Sequence, residues 1–327
     1  MVKKLLISVV LLCFSVPAFA FVDTVWVRRY NGPQNDDDAA NAVEVDSSGN
    51  VYVTGYRTGI GSLFDYATIR YHPDGDSAWT RRYNGPGNGA DVATAIGLDA
   101  SGNVYVTGYS ADSTGIADFA TLKYDSLGYW RFLRRYDGPG NGSDAAQAMA
   151  MDDSGNVYVT GYSQGDGTDY DYATIKYLPN GVAAWVARYN GPGNGQDWAN
   201  DMAVDASGFV YVTGRSEGIG TGQDFATIKY HSNGDTAWVR RYDGPTSGRD
   251  EATAIDVDIF GNIYVTGQSH DTITDDDYLT IKYFPNGDTA WARRYNCPGN
   301  GPDEPHAVAV GANGYVYVTG GFATSGG

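Results

Sequence analysis

From residue 24 onward the chain is a succession of short stretches in which apolar and polar residues alternate, separated by Gly, Asn, Asp and Pro. A period of two over four to six residues, with Val, Thr, Tyr and Trp prominent, predicts β-strands. The first unit holds four of them, at 40–45, 51–54, 66–71 and 78–83. The breaks between them have hairpin chemistry. Asp46-Ser47-Ser48-Gly49-Asn50 places a glycine where a tight turn needs positive φ, and an aspartate where it can accept backbone N–H groups. Pro73-Asp74-Gly75-Asp76 does the same for the last hairpin of the unit.

The whole pattern recurs every 53 residues. Tyr30, Tyr83, Tyr136, Tyr189, Tyr242 and Tyr295 mark one phase, and Gly49, Gly102, Gly155, Gly208, Gly261 and Gly314 another. Four strands in a unit of this length predict a propeller blade rather than a solenoid coil. The expected fold is therefore an all-β propeller of six four-stranded blades. Its units are 31–83, 84–136, 137–189, 190–242, 243–295 and 296–327, the last closed by 21–30. The N-terminal part supplies only a fourth strand (24–30), and the C-terminal part only first and second strands (306–310 and 315–319). The last blade is thus expected to be shared and incomplete, its third strand missing or shortened to Phe322-Ala323-Thr324. Sharing would remove open sheet edges. Trp26, Trp79, Phe132, Trp185, Trp238 and Trp291, at one place in the outer strand, are expected to fill the wedges between blades.

The run W-x-x-R-Y-x-G-P, followed by segments such as Asp99-Ala100-Ser101-Gly102-Asn103-Val104-Tyr105-Val106-Thr107-Gly108, resembles the seven-bladed-beta-propeller (SBBP) repeat family of bacterial secreted and surface proteins. The resemblance covers essentially all of 21–327 and implies the propeller fold, with six units here instead of the seven in the family's label. It implies no particular activity.

Composition adds the compartment. Residues 1–20 combine Lys3 and Lys4, an apolar run from 5 to 16, Pro17 and Ala18-Phe19-Ala20, the layout of a secretory signal peptide. Its removal takes both lysines and no acid, so the formal charge of −17 becomes −19. Such a surface repels phosphate backbones and anionic lipid, which argues against nucleic acid and membrane insertion. Cys13 leaves with the signal and Cys297 alone cannot form an intrachain disulfide. A secreted monomer, extracellular or periplasmic and in some settings attached to the cell surface, is the expectation.

Candidate chemistry is sparse. The links between second and third strands (56–64, 109–117, 162–170, 215–223 and 268–276) differ in every copy, which suits a binding face for glycan or protein, although unconstrained loops also drift. Arg57, Tyr109, Tyr162, Arg215 and His270 are the candidate contacts there. On the same face every unit has an aspartate before its first strand: Asp38, Asp91, Asp144, Asp197, Asp250 and Asp303. A ring of six carboxylates suits a hard divalent cation such as calcium. The alternative is a brace to the equally repeated Arg29, Arg82, Arg135, Arg188, Arg241 and Arg294. Asp275, Asp276 and Asp277 form the densest acidic run but lack the alternating spacing of a calcium loop. No serine, cysteine or histidine arrangement forms a nucleophilic or metal motif, so neither catalysis nor a cofactor is expected. The competing readings are a glycan-active hydrolase, which needs two carboxylates about 5–10 Å apart over the channel, and a purely structural module or fragment of a longer surface protein.

Overall fold

The computed structural model describes residues 24–298 and 300–323, so the signal-peptide reading lies outside the described residues. It is all β. Five antiparallel four-stranded sheets follow one another at residues 38–83, 91–136, 144–189, 197–242 and 250–295, each ordered first, second, third and outer strand. A sixth sheet has two strands, Asp303–Val310 and Val316–Phe322. The expected hairpin turns form: Gly49 has φ 81° and Gly75 φ 86°, and Asp46 accepts the N–H groups of Ser48 and Asn50, both at 2.9 Å.

Successive blades pack face to face. Tyr158 and Tyr172 of the third blade, both fully buried, lie against Met202, Val210, Val212, Ile228 and Tyr230 of the fourth. The outer-strand rings do fill the wedge. Trp185 stands 6.0 Å from Tyr158 of its own blade and 6.2 Å from Tyr230 of the next, and its indole donates to the Ser232 carbonyl at 3.0 Å. In blades one to four the turn glycine leaves room for the ring before it: a Cβ on Gly234 would sit 2.8 Å from the Trp185 indole.

Every first strand carries a bulge, recorded as a register shift at, for example, 199/201 and 252/254. The bulged side chain turns toward the next blade. Asn200 donates to the Ala252 carbonyl at 2.9 Å, and Thr253 to the Pro305 carbonyl at 2.6 Å. Thr253→Val should therefore lower stability by about 1 kcal/mol, measured from the urea midpoint. No change would mean that this crossing bond contributes nothing.

Two expectations need correction. The second and third strands are longer than the pattern suggested: Val51–Thr58 pairs with Phe64–Tyr71 through to Thr58↔Phe64. The variable links are thus partly ladder, because alternation fades there while backbone pairing continues. The sixth sheet is incomplete as expected, but among the described residues, 24–30 do not supply its outer strand. Residues 24–30 have no strand structure, yet they occupy the outer-strand place against blade one, where Trp26 donates to the Pro73 carbonyl at 2.9 Å. An outer strand hydrogen-bonds to a third strand, and the sixth sheet has none among the described residues. Accordingly Val43 is 55% and Tyr317 49% exposed, whereas their counterparts Met202 and Tyr211 are fully buried.

Candidate functional site

The repeated aspartates do not act as one ring. Each of Asp38, Asp91, Asp144, Asp197, Asp250 and Asp303 begins a first strand and turns back on its own linker. There Oδ2 accepts the N–H of Gly32, Gly85, Gly138, Gly191, Gly244 or Cys297 at 2.5–2.8 Å. All but Asp38 are fully buried, and burial raises the pKa of Asp91, Asp144, Asp197 and Asp250. Among the described residues no two of the six fall into one group of ligand spacing.

The arginine brace exists with a different partner, the aspartate of the third strand. Arg82–Asp65, Arg135–Asp118, Arg188–Asp171, Arg241–Asp224 and Arg294–Asp277 close at 2.5, 2.6, 2.9, 2.7 and 2.9 Å. Arg188 and Arg241 also reach the tyrosine hydroxyl of the preceding blade, Tyr136 and Tyr189, at 3.0 Å. The brace therefore ties strands within a blade and blades to one another. Arg57 joins this structural set, since it bonds the Tyr30 hydroxyl at 3.3 Å and lies 3.9 Å from Asp65.

Asp275, Asp276 and Asp277 separate. Asp277 belongs to the Arg294 brace, while His270 Nδ1 pairs with Asp276 at 3.0 Å and Asp275 at 3.7 Å near the hairpin tip. His270, Asp275 and Asp276 thus bring one ligand atom each to within 4.8 Å of one another, while Asp277 stands apart in its brace.

A different constellation forms at the variable end of blades three to five. Tyr162 stacks on Trp198 at 4.4 Å and 20°, and Tyr170 meets both rings edge-on. The Arg215 guanidinium lies 4.1 Å from the Trp198 ring and bonds Glu251 at 3.0 Å. Glu251 also pairs with Arg249 and accepts from Asn200 at 2.9 Å. Burial works against its charge, but Arg215, Asn200 and Arg249 outweigh it and hold the carboxyl below its ordinary range. Trp198 Nε1 and Arg215 Nε are buried with no acceptor. The cluster thus combines stacked aromatic rings, two buried unpaired donors and a fixed, buried carboxylate. Tyr109, at the register place of Tyr162 one blade earlier, is half-buried beside Tyr56, and burial raises its pKa.

Comparison with known proteins identifies the repeat. The beta-propeller repeat profile, SBBP, matches residues 25–59, 136–167, 185–220 and 238–273. The chain carries SBBP repeats. Its fold is similar to that of a protein of unknown function from Dyadobacter fermentans DSM 18053, at 12% identity over 88% of this chain and 92% of that one, TM-score 0.52. It is also similar to the calcium-binding protein regucalcin from Agrobacterium tumefaciens str. C58, at 11% identity over 84% and 79%, TM-score 0.43. A eukaryotic initiation factor matches at 10% identity over 79% of this chain and 55% of its own, TM-score 0.47, so the chain spans about half its length. No curated protein matches the chain.

The SBBP repeat accounts for the arginine brace and the linker aspartates, which recur from unit to unit. It does not account for Trp198, Arg215 and Glu251. Trp198 stands where other units have Ala39, Val92 and Ala145, and Arg215 where they have Tyr56, Tyr109 and Tyr162. Trp198, Asn200, Arg249 and Glu251 lie outside the variable links, and departure from the SBBP consensus is the sequence signal that marks Trp198. The opposite end of the SBBP blades also departs once: Ile259 and Phe260 replace small turn residues and border a groove of about 390 Å³ with Phe209, Lys229 and Pro285.

Proposed function

We propose that this SBBP protein is a secreted, monomeric, non-catalytic binding module whose variable hairpin end takes a glycan. The observation that carries this reading is the non-repeated assembly of Tyr162, Trp198, Arg215 and Glu251 across three blades. Aromatic faces suit the C–H faces of sugar rings, and fixed charged groups suit their hydroxyls. The exposed Ile219 and Ile273 on the hairpin tips of blades four and five add apolar surface at the same end. A carboxylate clamped by two arginines favours binding over proton transfer.

A glycan array probed with the full chain should give a defined set of positives, and Trp198→Ala should weaken the best of them at least tenfold with an unchanged circular dichroism spectrum. Unchanged affinity in that folded variant would refute the assignment of the site. Positives on a protein array alone would replace the glycan with a protein ligand.

A further inference from the structure

Two of the joints between blades differ from the others in charge. Asp118 in the third strand of blade two, Asp137 in the following linker and Asp144 at the start of blade three bring one oxygen each to within 4.8 Å of one another. Asp224, Asp243 and Asp250 do the same between blades four and five. In the remaining joints the middle position is Asn84, Asn190 or Asn296.

In the first joint Asp144 uses both oxygens, Oδ2 accepting the Gly138 N–H at 2.6 Å and Oδ1 the Gln164 N–H at 2.9 Å, whereas the second joint is only partly used. Asp224 is 3% exposed, and its Oδ2 accepts from Arg241 at 2.7 Å and from the Thr221 hydroxyl at 3.0 Å. Its Oδ1 is buried with no donor. In the corresponding joint after blade five, the Oδ1 atoms of Asp277, Asn296 and Asp303 are likewise buried without donors. A buried carboxylate oxygen without a partner costs free energy, and several at equivalent places call for a cation. Burial, with the adjoining carboxylates adding to it, holds Asp118, Asp144, Asp243 and Asp250 above the ordinary carboxylate range.

We infer that the joint of Asp224, Asp243 and Asp250 binds one calcium ion, which clamps blade four to blade five. Three carboxylates beside one guanidinium leave two negative charges, matched by one divalent ion. All donors are hard oxygens, and the exposed Asp243 leaves water access to complete a coordination shell of about six to eight. The arginine occupies Oδ2 of Asp224 and leaves Oδ1 for the metal. Joints with asparagine carry one negative charge less and fill only at higher calcium.

Calorimetric titration of the chelator-treated full chain with calcium should show one equivalent of tight binding and a higher melting temperature, reversed by chelator. Asp243→Asn installs the residue that other joints already carry at an exposed position, so the variant is expected to fold. It should remove the equivalent or weaken it at least tenfold and lose the thermal shift, while Asp137→Asn at the hydrogen-bonded joint should retain both. Absence of binding in the wild type, or an Asp243→Asn variant that binds like it, would overturn the inference.

Discussion

Arg241→Met should destabilise the protein by about 3–5 kcal/mol, because it leaves a buried carboxylate with its charge and without its partner. Asp224 is 3% exposed and its Oδ2 depends on Arg241 at 2.7 Å. The same guanidinium holds the Ser216 carbonyl at 2.8 Å and the Tyr189 hydroxyl of the preceding blade at 3.0 Å. Methionine retains much of the apolar stem but none of these donors. Adding Asp224→Asn should recover much of the loss, since the neutral amide no longer needs a counter-charge. Urea denaturation in chelator measures both, free of any metal contribution. A loss under about 1 kcal/mol for the single variant would place this brace with ordinary surface ion pairs.

Gly214→Ala should cost about 3 kcal/mol, at the upper end for overpacking by a single methyl group. A Cβ at this position would fall 1.9 Å from the Trp198 carbonyl oxygen and 2.9 Å from the Ala199 Cα. Both are backbone atoms held by the bulge at 199/201, so neither can swing aside. Gly55, Gly108, Gly161, Gly267 and Gly320 face the same obstacle at 2.0–2.1 Å, which explains why the fifth residue of the VYVTG segment is glycine in every unit. Gly97→Ala is the matched control. There the nearest atoms are the flexible Met151 and Met149 sulfurs at 3.0 and 3.2 Å, and Ala150, Ala203 and Ala309 already stand at that place in other units. The control should change the urea midpoint little. Equal losses at Gly97 and Gly214 would show that the carbonyl contact does not decide the cost.

The candidate sites were legible in parts. Tyr162 and Arg215 stood out because they lie in links that vary between units, and the structure places both in one assembly. Trp198 and Glu251 escaped because they open first strands, inside a segment that otherwise repeats. The linker aspartates were visible as a repeated feature. Their division between backbone N–H groups and the three-carboxylate joints was not, since the oxygens that meet come from residues 7 to 26 positions apart on two strands and a linker, as with Asp118, Asp137 and Asp144.

By itself the sequence determined the 53-residue period, the four strands of each blade and the turns that join them, because alternation and turn chemistry act within a few residues of each other. Tertiary structure alone decided which aspartate each arginine reaches, 17 positions away, and which carbonyl each bulged residue crosses to, 52 positions away. It also decided that, among the described residues, 24–30 do not add a strand to the sixth sheet. Such choices depend on how sheets stack and on which edges have a strand to meet, and a residue pattern that is the same in every unit does not encode them.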